Sequence, residues 1–569
     1  MSESTDVLIV GAGPTGLMLA CNLARFGIPF KIIDKKEGLS TEVKASEVTP
    51  RSLEAMEDFG IVEEAKRLGV IVHSFKMFAH GKVVWNGQYG DIDSPYKYQI
   101  HLGQPYTEQL LHGYLRKQGG QVEWQTELLD FQEEGEEVVT QIKKPDGGAE
   151  SISCQYLAAC DGASSTLRGL LNLEYKGHTY EADNLIGNAK LDWDRSPDEV
   201  HVFFSDEGEM TVSPLPDGYH QINGAYRLKK GEKSKKGQTG TLEELQKMFD
   251  TRSSIPGKLS DARRVQYYWI HHRQVDRQKI GRVFILGDAA HIVSPNTGLG
   301  MNTGLQDAHN LAWKLHLVLS GVGREDLLES YHEERHGVLK ALGQFSDMDE
   351  TMYLFRNPIA KELRNHVLTY LMSLDTVFSR QNATMAQTDV MYRKSPIVGQ
   401  DLGSPLHWKK EKHLSDHVSC PSAWLHFGEG PHGGDRASDV RPVLDDHSED
   451  QRLFDRLRSG KHTLLLFTGC SEPDAEALDK LESLGRRALE QYGKYMDAFL
   501  VIPGEKLPQA SKWQGKVLKD IQKRLHNRYG AQGECLYLIR PDKFVAYRAM
   551  PPDWDKLQNF LTGKIFKDD

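Results

Sequence analysis

The sequence predicts an α/β protein with a parallel sheet, an antiparallel sheet inserted into it, and a further α/β domain near the C-terminal end. Three observations predict this. A buried strand runs into a glycine fingerprint and a helix at the start of the chain. Alternating strand patterns fill the middle. A new strand–helix–strand order begins beyond residue 440.

Composition bounds the class. The chain has 569 residues, a length that suits about three or four domains. Lys and Arg number 70 against 80 Asp and Glu, a formal charge of −10. Such a chain repels phosphate backbones, so no nucleic-acid partner is expected. Charged residues at 26% and apolar residues at 39% suit a folded chain, not a disordered one. No apolar run approaches the roughly 20 residues of a membrane helix, so no membrane partner is expected. The six cysteines, at 21, 154, 160, 420, 470 and 535, include no CxxC pair. Neither a zinc ribbon nor another metal site is expected. Thiols this sparse suit a reducing compartment. Without a leader pattern at the N-terminus, the expected location is cytoplasmic.

Val7–Val10 is a continuous apolar run, as in a strand buried on both faces of a parallel sheet. It enters Gly11-Ala12-Gly13-Pro14-Thr15-Gly16, and Leu17, Ala20, Cys21 and Ala24 then repeat at helical spacing. Phe30–Ile33 is a second strand, ending at Asp34. Gly11 permits the tight turn, Gly13 lets the backbone approach a pyrophosphate, and Gly16 lets helix and strand pack closely. The helix N-terminus offers free N–H groups to the phosphates. Asp34 is placed for a ribose hydroxyl, with Lys35 beside it. The fingerprint implies a dinucleotide without separating FAD from NAD.

Downstream, Val283–Leu286 is a short apolar strand that leads through Gly287 to Asp288. A carboxylate at a strand's carboxyl end suits the hydroxyls of a ribityl chain. The loop through Pro295, Gly298, Leu299, Gly300, Met301 and Asn302 opens a long helix with Leu305, Ala308, Ala312, Leu315 and Leu319 on one stripe. That helix N-terminus stabilises negative charge, which a reduced flavin carries. These features favour FAD. Between them, the strand Tyr156–Ala159 ends near Asp161-Gly162, and a Ser-rich turn leads to Arg168.

The three blocks, GxGxxG, the central Asp-Gly and GDAAH…P…GxGxN, resemble those of the flavoprotein aromatic hydroxylases, single-component monooxygenases similar to phenol hydroxylases. The resemblance implies FAD held by Gly11, Gly13, Pro14, Thr15, Gly16, Asp34 and Lys35, with Asp288 on the ribityl chain. It also implies that residues 298–302 face the flavin pyrimidine ring and that the Pro295 carbonyl lies near flavin C4a. Asp161 and Arg168 would serve FAD and a transient nicotinamide, and Gln104 would contact the flavin. Lys44 stands where the family carries an Arg, and its point charge lacks Arg's planar fork. The implied activity is NAD(P)H- and O2-dependent hydroxylation of a small phenolic or other electron-rich aromatic substrate through a C4a-hydroperoxyflavin. Two alternatives are a flavin monooxygenase acting on a polyketide or antibiotic, and a non-catalytic flavin-binding assembly protein. The catalytic base is left unassigned.

The resemblance divides the chain into a discontinuous Rossmann-like FAD-binding domain at 1–70, 104–184 and 276–340. An interleaved antiparallel-sheet substrate domain takes 71–103, 185–275 and 341–395. Val200–Phe204 and Tyr219–Asn223 are among its strands, and Pro216-Asp217-Gly218 is a turn. Trp85, Tyr98, His101, His220 and Tyr226 are weak pocket candidates, each more simply read as a core or strand-surface residue. His291 reads as structural. The lysines 229, 230, 233, 235 and 236 read as a solvated loop, and Thr241 with Glu244 as a capping box. Residues 396–440 are expected to form a linker, and 441–569 resembles a thioredoxin-like domain. Only Cys470 follows its first strand. Dithiol chemistry needs two thiols, so a redox-inactive, structural or homodimerising role is expected.

Overall fold

The structure, a computed structural model, describes residues 3–43, 45–79, 81–226, 233–294, 298–353, 375–402, 421–441, 443–444, 450–471, 473 and 475–568. Two compact units divide the chain: Met1–Ala312 with Arg335–Asp389, and Trp313–Glu334 with Val390–Asp569.

The first unit contains both interleaved sheets. Phe30–Asp34, Glu3–Val10, Ala149–Ala159 and Val283–Ile285 lie side by side and parallel. Val10 stands level with Ile33 and Ala159, and Ala159 with Ile285. Val7–Val10, Ile32, Ile33, Leu157–Ala159 and Val283–Ile285 are buried, as strands covered on both faces require. The fingerprint helix, Pro14–Phe26, follows the first strand directly.

The second sheet has eight strands, and Tyr175–Trp193 and Gly257–Val275 are the longest. Side chains alternate between faces with period 2. Leu185, Ala189, Met210, Val212 and Ile222 pack on Leu245, Met248 and Phe249 of helix Leu242–Arg252. Both halves of the Thr241–Glu244 capping box are present at that helix. Asn188, Thr211, Ser213, Gln221, Asn223 and Tyr268 alternate with those core residues and stand on the opposite face. The expected boundary at 184 falls inside Tyr175–Trp193, because one strand continues across it. A small sheet joins Glu47–Val48, Gln99–His101 and Val70–Val72.

In the second unit, His462–Phe467 pairs in parallel with Met496–Ile502 and antiparallel with Cys535–Ile539, which pairs antiparallel with Val545–Met550. Helix Ala475–Tyr492 connects the two parallel strands. The expected linker differs from a bare connection. Gly399–Leu402 adds a parallel strand beside Val545–Met550, and Phe427 of helix Pro421–Glu429 is fully buried in this unit's core. Its Gly-, Pro- and His-rich sequence hides elements that tertiary pairing stabilises. Cys420 lies outside the described residues.

Candidate active site

The carboxyl ends of four adjacent parallel strands carry the residues singled out by the three motifs. Asp34 is the last residue of Phe30–Asp34. Gly11 follows Glu3–Val10, Asp161 lies just past Ala149–Ala159, and Asp288 just past Val283–Ile285. The equal register of these strands brings residues far apart in sequence to one edge, where open α/β sheets bind ligands.

The fingerprint fits a dinucleotide. Gly11 has φ +104°, and a Cβ there would meet the Cys160 carbonyl oxygen at 2.3 Å. A Cβ on Gly16 would meet the Gly11 carbonyl oxygen at 1.9 Å. Gly13 is different: a Cβ there meets nothing within 4 Å, and no side chain caps its helix. The helix N–H groups therefore open onto space that suits a pyrophosphate. Asp34 accepts from the Ala12 N–H at 2.7 Å and the Lys36 N–H at 2.9 Å, fixing this turn. Lys35 is exposed.

Asp161 Oδ2 accepts from the Thr166 N–H at 2.7 Å, while its buried Oδ1 has no partner. An orphaned carboxylate oxygen at this edge fits a ligand hydroxyl or N–H. Arg168 donates to the carbonyls of Ala163 and Ala289 at 2.7 and 3.1 Å, and its guanidinium lies 4.0 Å from the Tyr175 ring centroid. The Tyr175 hydroxyl donates to the Asp288 carbonyl at 2.8 Å. These contacts hold the Asp288 turn and leave its side chain exposed.

Behind that turn, Asp307 is completely buried. It accepts from the Gly287 N–H at 3.0 Å, His291 Nε2 at 2.7 Å and Arg335 Nε at 2.7 Å. Burial pushes its pKa up, but Arg335 and His291 outweigh that and hold it below the usual carboxylate value. His291 is thus a structural clamp, buried rather than presented to a ligand.

Gly300 opens the helix Gly300–Leu319, with Met301 and Asn302 in its first turn. Leu299 is buried beneath the loop. Asn302 Nδ2 donates to the carbonyls of Glu47 and Gly298 at 2.8 and 2.9 Å, and its Oδ1 accepts from the Thr49 N–H at 2.9 Å. Gln104 Nε2 donates to Glu108, which also accepts from the Ser40 N–H. Arg264 donates to the Val43 carbonyl, so the second sheet also holds this loop. Lys44, Pro295, Lys229, Lys230 and the Tyr226 side chain lie outside the described residues.

Trp85 packs edge-on to Phe75, with centroids 4.3 Å apart. Tyr98 meets Tyr96 and His73. His220 alternates with Gln221, shares the face of Ile222, and meets Trp193 on the side of helix Leu242–Arg252. Burial lowers its pKa to about 4. Glu47, missed in sequence, lies beside Gly298, where a Cβ would come within 3.0 Å of its Oε2. No local motif marks Glu47; only strand pairing brings it there.

Among the described residues no cluster of His, Cys, Asp and Glu is placed to hold a metal, and no helix is long and apolar enough to cross a membrane.

Residues 4–346 match the family model of the FAD binding domain. The chain is 31% identical over 553 residues to the 6-methylpretetramide 4-monooxygenase of Streptomyces rimosus, covering 96% of this chain and 91% of that one. It is 28% identical to the pentachlorophenol 4-monooxygenase of Sphingobium chlorophenolicum over 96% of this chain and 94% of that one. A solved ternary complex of aklavinone-11 hydroxylase with FAD and aklavinone shares the fold, with a TM-score of 0.71 at 22% identity over 99% of both chains.

Proposed function

The chain belongs to the FAD-binding-domain family, and from that premise we propose that it is an FAD-dependent monooxygenase using NAD(P)H and O2 to hydroxylate a phenolic or other electron-rich aromatic substrate. The observation that carries this reading is the alignment of Asp34, the Gly11–Gly16 turn, Asp161 and Asp288 on four neighbouring strand ends. FAD bound there supplies the activation of O2, with electrons from NADPH or NADH.

The chain's own groups bind, orient and shield. The fingerprint helix receives the pyrophosphate, Asp34 the ribose, and Asp288 the ribityl hydroxyls. Asp161 Oδ1 accepts from the cofactor, and Arg168 supports the turn that carries Asp288. The helix N-terminus at Gly300 favours negative charge on the flavin side facing it. The amide- and hydroxyl-bearing face of the second sheet suits an uncharged aromatic ring with hydroxyl substituents. The second unit is assigned a thioredoxin-like role in structure or homodimerisation, supported by its strand order and by Cys470 standing without a second thiol in the same loop. A cytoplasmic location fits the described cysteines, all free thiols.

The test is direct. The purified protein should be yellow, and NADPH or NADH should bleach it without oxygen, faster when a phenol is present. Labelled O2 should place one oxygen atom in a hydroxylated product, read by mass spectrometry. A colourless protein that cannot be reconstituted with FAD would sink the reading.

A further inference from the structure

A buried chain of amides and hydroxyls runs behind the 298–302 loop. Gln387, at its outer end, follows the helix Asp375–Ala386 and is 1% exposed. Its φ is +56°, a left-handed conformation that helix ends usually give to Gly or Asn and that is unfavourable for a residue with a Cβ. Side-chain contacts hold it there. Gln387 Nε2 lies 3.0 Å from Thr303 Oγ1, and Oε1 lies 2.7 Å from Gln306 Nε2 and 3.3 Å from Thr49 Oγ1. All four residues are buried in the first unit.

The chain of bonds has one direction. Thr303 Oγ1 is 2.8 Å from the Leu299 carbonyl oxygen, which only accepts, so the single hydroxyl proton points there. Thr303 Oγ1 then accepts from Gln387, and the Gln387 oxygen turns to Gln306. Donation runs from Gln306 to Gln387 to Thr303 to Leu299, and bonds aligned in this way polarise one another. The Thr303 N–H also donates to the Leu299 carbonyl, at 2.9 Å. The neighbouring Gly298 carbonyl is held by Asn302 Nδ2 at 2.9 Å. Both loop carbonyls are thus drawn back toward the helix Gly300–Leu319. The first N–H groups of that helix have no acceptor inside it and face the other way.

We propose that Gln387 is a positioning residue that raises the reduction potential of bound FAD, acting through Thr303 on the Leu299 carbonyl. The proposal rests on the reading above, in which this loop faces the flavin. A reduced flavin carries negative charge that the oxidised form lacks. N–H groups aimed at that charge stabilise the reduced form, whereas a carbonyl swung outward opposes it. Gln387 acts from a distance: it fixes which end of each peptide dipole the loop presents.

The test uses holoenzyme without NAD(P)H or substrate. The flavin is titrated anaerobically with dithionite against a reference dye, and its potential is read from the visible spectra. Gln387→Met keeps the side chain's length and the backbone conformation but deletes the amide. It should lower the preference for reduced flavin about tenfold, a two-electron shift of about 30 mV. Affinity for oxidised FAD should change little. A general loosening would instead weaken both forms alike and leave the potential unmoved. Thr303→Val should give the same shift, and Thr303→Ser should keep the wild-type value. Combining Gln387→Met with Thr303→Val should shift the potential no further than either alone, because both break one chain of bonds. Should Gln387→Met fail to load FAD, Gln387→Gly deletes the amide while relieving the positive φ, and carries the same expectation. A holoenzyme of either Gln387 variant with the wild-type potential overturns the proposal, as do additive shifts in the double variant. The expected shifts in an enzyme that never forms hydroxylated product support the role of Gln387 and overturn the hydroxylase reading instead.

Discussion

Replacing Asp307 by Asn tests whether the buried clamp behind the Asp288 turn governs cofactor retention. Asp307 accepts three hydrogen bonds, two on Oδ2 from Gly287 and His291 and one on Oδ1 from Arg335. An Asn side chain is nearly isosteric but has only one acceptor oxygen. If that oxygen serves Gly287 and His291, its amide N–H groups meet the Arg335 guanidinium, donor against donor. Asp307 and Arg335 are both fully buried. Removing one partner of such a pair costs about 3–5 kcal/mol. The assay is thermal and urea unfolding followed by flavin fluorescence, which rises as FAD leaves the first unit. The midpoint should fall, and FAD affinity should weaken with it because Gly287 adjoins Asp288. The pH dependence has a definite sign. The native pKa of Asp307 lies below its unfolded value, so the unfolded state binds more protons. The stabilisation is full above the unfolded carboxylate pKa of about 3.9 and is lost as pH falls through the native value. The gap between wild type and Asp307→Asn should therefore be constant near neutrality and close in acid. An unchanged midpoint and unchanged FAD affinity would refute the clamp.

Further expected outcomes follow from single contacts. Gly13→Val should leave the apoprotein's unfolding midpoint nearly unchanged, since a Cβ there meets nothing within 4 Å, yet abolish FAD binding in a flavin titration. Gly11→Ala should lower that midpoint itself, because the new Cβ would lie 2.3 Å from the Cys160 carbonyl oxygen at a positive φ. In the second unit, Arg540 bonds Glu334 at 2.6 and 2.9 Å with both side chains fully buried. Arg540→Met should therefore destabilise that unit by about 3–5 kcal/mol in urea unfolding, and a loss below about 1 kcal/mol would argue against a tight buried pair. Cys470→Ser should leave NAD(P)H-driven turnover unaltered, because among the described residues the Cys470 Sγ hydrogen-bonds a backbone carbonyl, that of Ala531 at 3.8 Å. A tenfold loss of turnover would restore a redox role for this thiol.

Local sequence determined the elements whose chemistry is local. Val7–Val10 followed by three spaced glycines specifies a strand, a tight turn and an open helix end, because backbone sterics and helix-end polarity act over a few residues. The apolar strand before Asp288, the Ser-rich turn after Asp161 and the Thr241–Glu244 box were legible for the same reason. Tertiary structure decided what depends on pairing. Gly399–Leu402 becomes a strand only beside Val545–Met550, so its composition read as a linker. His220 was turned toward helix Leu242–Arg252 by strand register, since a shift of one residue reverses a side chain's face. Glu47 and His101 are 54 residues apart in the chain and carry no shared motif. Only an antiparallel register sets them opposite each other, because strand pairing joins residues that no local signal links.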